Sequence, residues 1–144
     1  MKFAAALLAG LLAAAPARAD LAAVKAEPNL EKRSDLALAH AHRTLEAARR
    51  AYHSGPMQEV ESSLAQVLES INLSLQSLRD TGKNPRRSPK YFKRGEIEIR
   101  KLMRRLDGFR DAMSVDDRPM LDALTKRAHQ IHEELLAGIM SKSK

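Results

Sequence analysis

Five histidines, His40, His42, His53, His129 and His132, are the side chains of this sequence best suited to metal ligation or proton transfer near neutral pH. His129 and His132 stand three apart, Glu133 lies four beyond His129, and Glu46 lies four beyond His42. Those spacings put each pair on one face of a helix. Helical bundles that hold paired metals use two Glu-x-x-His segments, and this sequence contains none. The register of the apolar residues puts His42 and His132 at the margin of the core stripes and His129 outside them. Solvated flanks, rather than a metal site, are the expectation. No His-Glu-x-x-His, no Gly-x-Ser-x-Gly and no glycine-rich phosphate loop occurs, so no catalytic residue and no cofactor is assigned. There is no cysteine, which removes disulfides and thiolate chemistry.

The distribution of charge is more informative. Residues 83–94 hold six basic side chains, Lys83, Arg86, Arg87, Lys90, Lys93 and Arg94, with no acid among them. Outside this stretch and the first 19 residues, 17 basic residues stand against 18 acidic ones. One short stretch therefore carries the whole positive excess of that part. Lys90, Lys93 and Arg94 fall in the first turns of an expected helix, where the partial positive charge of the free N–H groups disfavours cations. An anion bound there would reverse the penalty, and Tyr91 would add an aromatic edge. The expected partners are an acidic protein or an anionic envelope surface. Nucleic acid ranks low, because no nucleic-acid-binding motif accompanies the charge. Further along, Glu96 with Arg100, and Lys101, Arg104 and Arg105 near Asp107 and Asp111, read as ordinary surface ion pairs.

Four long helices must position these groups. Pro28, Pro56, Pro89 and Pro119 each precede a stretch with three-to-four-residue apolar periodicity, as suits a residue without an N–H in the first helical turn. Helices are expected at about 28–53, 56–80, 89–113 and 117–140. Their stripes are Leu38, Ala41, Leu45, Ala48 and Tyr52; Val60, Leu64, Val67, Ile71 and Leu78; Phe92, Ile99, Leu102, Leu106, Phe109 and Met113; and Leu121, Leu124, Ala128, Ile131 and Leu135. Gly82 is expected to end the second helix, Ser88 to cap the third, and Asp116 or Asp117 the fourth. Short turns after the first and third helices make two antiparallel hairpins, while the longer link between them allows either a simple path or a crossover. The fold class expected is all-α, a four-helix bundle over residues 28–144, with residues 20–27 as an N-terminal segment. Self-association of the helices into a homo-oligomer is compatible with such stripes.

Ala48, Tyr52, Gly55, Val60, Leu64 and Val67 resemble a single tetratricopeptide repeat unit in spacing, though valine replaces alanine at 60 and 67 and leucine an aromatic at 64. That resemblance implies a protein-binding scaffold. Exported b-type cytochromes share the bundle architecture, with Met and His as axial ligands. Met57, Met113 and His132 are the residues that a haem- or metal-binding alternative would use.

The first residues read as a targeting signal. Met1-Lys2 gives a positive start, residues 3–15 are apolar or glycine, and Ala17-Arg18-Ala19 is a small-residue cleavage site. The apolar run is too short for a bilayer span of about 20 residues. Cleavage is expected between Ala19 and Asp20, releasing a mature chain without a transmembrane segment, more compatible with a periplasm than with the external medium.

Overall fold

The computed structural model describes residues 15–142, and these are helical throughout apart from turns and links, with no strand among them. Among the described residues there are five α-helices, the four expected and one before them: α1 (Ala15–Ala26), α2 (Leu30–Ser54), α3 (Met57–Asp80), α4 (Lys90–Ala112) and α5 (Asp122–Met140). A 3-10 segment, Val115–Leu121, joins α4 to α5. The expected signal sequence lies outside the described residues except for its last five positions, which begin α1. That helix runs straight through the expected cleavage point and buries Leu21 and Val24 against the neighbouring helices. Residues 20–27 are therefore mostly helix.

Every residue of the four expected stripes is buried, apart from Tyr52, which is half-buried. The helices shelter one another because each is polar away from its stripe, and burial of an apolar face stabilises it more than intrinsic propensity does. The direction of each neighbour follows from paired side chains. Ser34 meets Ser74 and His40 meets Ser70, both at 2.7 Å, so α2 and α3 are antiparallel. Glu96 with His132 and Arg110 with Asp122, both at 3.0 Å, make α4 and α5 antiparallel. Arg94 pairs with Asp35, and Glu98 lies beside His42, so α2 and α4 run parallel. Arg79 bonds Glu134 at 2.7 Å and Arg127 bonds Asn72 at 2.6 Å, so α3 and α5 are parallel as well. The 81–89 link therefore carries the chain from α3 to an α4 that lies chiefly beside α2 and α5.

The ends of the helices differ from expectation in three places. Asn29 caps α2, its side chain accepting from the Lys32 N–H at 2.9 Å. Ser88 does not cap α4: Pro89 takes the cap position without a side-chain bond, while the Ser88 N–H reaches back to the Asn84 carbonyl at 2.8 Å. Asp117 does not cap α5 either. Its carboxylate accepts from the Tyr52 hydroxyl and the Ser114 hydroxyl, both at 2.8 Å, and Pro119 sits inside the 3-10 segment. Helix α5 thus begins at Asp122, five residues later than expected. Gly82 does end α3, with φ of 67° and its N–H on the Arg79 carbonyl at 3.1 Å.

Candidate functional site

The basic stretch 83–94 is divided in two by the fold. Lys83 pairs with Glu31 and Arg94 with Asp35, so α2 supplies a carboxylate to each end of the stretch. Arg86, Arg87, Lys90 and Lys93 are exposed and have no carboxylate partner among the described residues. Lys90 and Arg94 both lie 5.3 Å from the centroid of the Tyr91 ring, a cation–π distance. Tyr91 is half-buried against the core and so holds two cations over a fixed ring. Its phenol is part of the frame of the stretch.

The link that carries Arg86 and Arg87 is a built turn. The Asn84 side-chain oxygen accepts from the Arg86 N–H at 2.9 Å and the Arg87 N–H at 3.3 Å, and the Asn84 carbonyl accepts from Arg87 and Ser88. Pro85 rests on Gly138 of α5, where a Cβ would stand 3.1 Å from the proline Cγ. Glycine at 138 lets the turn approach α5 closely, so the two arginines leave a backbone that is docked rather than swinging. Four cations without a carboxylate partner among the described residues lie at one corner: two on this turn and two in the first turn of α4.

The histidines do not gather. His42 lies 3.1 Å from Glu98, yet both its ring nitrogens are buried without an aligned hydrogen bond, so the contact is close but off-line. His132 bonds Glu96 at 3.0 Å, on a different side of α4. His129 is exposed. No three His, Asp or Glu side chains converge among the described residues. His40, by contrast, is only 1 % exposed and belongs to a polar seam between α2 and α3 that the apolar stripes did not reveal. Ser34 bonds Ser74 and His40 bonds Ser70 across it, and Thr44 lies beside His40 on α2. Its sequence signal was Ser70, Ser74 and Ser77 at steps of four and three.

Burial pulls the His42 pKa below its ordinary value near 6.5, with the Arg105 charge adding to the effect and Glu98 opposing it. For Glu98, partial burial pushes upward, but the Lys101 ammonium and His42 outweigh it and hold the carboxyl below its usual range. Both shifts act in one direction on stability. Above about pH 6.5 His42 is neutral folded or unfolded, whereas below it the unfolded chain takes up the proton first. Stability is therefore fully present above that value and declines on acidification. Glu98 adds a second decline below about pH 4.5, where the unfolded carboxylate protonates first. The urea midpoint should fall on going from about pH 7 to about pH 5, and His42→Gln should flatten that step. An unchanged slope in the variant would assign the decline to another group.

The ion pairs read from α4 are half realised. Arg100 pairs with Glu96 at 3.4 Å and Lys101 with Glu98 at 2.9 Å, but among the described residues Arg104 and Arg105 have no carboxylate partner, and Asp107 and Asp111 do not supply one. The arrangement of the basic corner can hold a polyanion by charge and hydrogen bonds. No protein-family model, curated protein or solved structure matches this chain.

Proposed function

We propose that this chain is an exported, non-enzymatic binding module that presents a basic corner to an anionic envelope surface. In this reading residues 1–19 are a cleavable signal sequence, the periplasm is the compartment, and the four long helices form a bundle acting as a rigid mount. Cleavage after Ala19 would leave the buried Leu21 and Val24 in the mature chain, so the packing of α1 survives processing. The observation that carries the reading is the set Arg86, Arg87, Lys90 and Lys93, exposed and without carboxylates on an anchored turn and helix start. Solubility alone would be served equally by cations on mobile chain. Here Asn84, Pro85 and Gly138 fix the backbone that bears them, and a fixed array meets a charged surface at a smaller entropic cost.

The test is co-sedimentation of the processed protein with vesicles of phosphatidylglycerol and phosphatidylcholine. Binding should appear with the anionic mixture, be absent with phosphatidylcholine alone, and weaken steeply as salt shortens the Debye length from about 10 Å toward about 3 Å. Equal binding to both vesicles, or none to either, would reject the surface assignment. The N-terminal residue of protein recovered from its native host should be Asp20, and an intact Met1 would reject export by cleavage.

A further inference from the structure

The seam between α2 and α4 changes its charge pattern along its length. Because the two helices run parallel, successive turns of one face successive turns of the other. At the first end the charges are complementary: Lys83 sits on Glu31, and Arg94 on Asp35. In the middle, Glu98 is shared between His42 and Lys101. Beyond that point the pattern breaks. Arg49 of α2 and Arg104 and Arg105 of α4 line one groove of about 560 Å3, and none of the three has a carboxylate partner among the described residues. Four permanent cations, counting Lys101, then stand against the single carboxylate of Glu98.

Like charges brought together across a helix seam cost stability unless something offsets them. Helix C-termini favour cations, but that effect fades within the last turn, and Arg49 and Arg105 lie more than a turn before Ser54 and Ala112. The helix dipoles therefore do not account for the cluster. A bound anion does. The geometry points to a phosphate-ester site in this groove, with Arg49, Arg104 and Arg105 as the binding residues. A phosphomonoester carries up to two negative charges and three terminal oxygens, which three guanidinium forks satisfy better than they satisfy the two oxygens of one carboxylate. Gly108 leaves the far wall open, since nothing lies within 4 Å of where its Cβ would be. That space accommodates the organic part of the ester. The site is separate from the corner at 86–93 and does not depend on it.

The test uses glycerol 3-phosphate as a soluble ester and phosphatidic-acid vesicles as a lipid headgroup, with amide chemical shifts as the readout for the former and co-sedimentation for the latter. Shifts should centre on Arg49, Arg104, Arg105 and Gly108. Arg104→Gln with Arg105→Gln should weaken binding at least about tenfold, and Gly108→Leu, which fills the space without changing the charge, should do the same. Arg86→Gln with Arg87→Gln should leave the soluble ester's affinity unchanged, so this site and the basic corner stand or fall separately. Saturation by the soluble ester supports a free ligand, and vesicle binding that survives replacement of Arg86, Arg87, Lys90 and Lys93 by glutamine but is lost when Gly108→Leu is added supports a headgroup held in the same groove. Shifts centred on residues 86–93, full binding by the Gly108→Leu protein, or no binding in either arm up to about 10 mM would overturn the assignment.

Discussion

Replacing Arg86, Arg87, Lys90 and Lys93 together by glutamine is expected to lower affinity for anionic vesicles about a thousandfold, at about 1 kcal/mol for each cation near the surface. Helix content should not fall. Lys90 and Lys93 stand in the first turn of α4, where the helix N-terminus disfavours cations, so their neutralisation relieves a small local penalty. All four side chains are exposed, and none is tied to a carboxylate among the described residues. A matched control separates a presented array from net charge. Lys83→Gln combined with Glu31→Gln removes a cation together with the acid that already neutralises it. That pair should leave vesicle binding within about threefold of the parent, because no net charge leaves the corner. A quadruple variant that still binds, with its circular dichroism unchanged, would remove the corner from the proposed function.

The sequence shows where the positive charge lies but not which of it is spent. The rule available from a sequence alone pairs charges three or four residues apart on one helix, and it finds Glu96 with Arg100 correctly. Lys83 and Glu31 are 52 residues apart, and Arg94 and Asp35 are 59 apart. Their pairing depends on α4 lying parallel to α2, which the 81–89 link does not encode in its composition. The same rule fails in the opposite sense at Arg104 and Arg105. Two aspartates follow within a few residues, yet the arginines turn toward α2 and form a groove with Arg49.

The core was legible because it rests on a periodicity that burial enforces directly. Phe92, Ile99, Leu102, Leu106 and Phe109 recur at helical spacing, and all are buried. Helix α1 was not legible for the opposite reason. Leu21 and Val24 make a single i, i+3 step, too short to declare a period, and only contact with α2 and α3 gives them a place to bury. The start of α5 was displaced by a tertiary demand. Asp117 is committed to Tyr52 and Ser114, so it cannot cap, and the chain closes a 3-10 turn before α5 begins. The polar seam escaped because small residues at helical spacing read as filler between larger ones. Ser34, Ser70 and Ser74 are each 3 % exposed or less.

Phe109→Ala is expected to lower the unfolding free energy by about 3–5 kcal/mol, a large part of the roughly 5–15 kcal/mol of a domain this size. Phe109 is fully buried, so truncating it leaves a cavity in the core. Its loss also reaches the end of the molecule through Tyr52. The two rings meet edge to face, 5.7 Å between centroids at 77°. The Tyr52 hydroxyl donates to Asp117 and accepts from the Ser114 N–H at 2.9 Å, tying the last turn of α2 to the connection between α4 and α5. Tyr52→Phe should cost about 0.5–1.5 kcal/mol by removing the hydroxyl's two bonds, while Asp117 keeps the Ser114 hydroxyl. Combining Phe109→Ala with Tyr52→Ala should cost about 0.5–1.5 kcal/mol less than the sum of the two, because each single change already removes the ring contact. Chemical denaturation with the three single variants and the double variant measures all three quantities. A Phe109→Ala cost below about 1.5 kcal/mol would mean that the site collapses around the missing ring, and that the tie at Tyr52 does not rest on it.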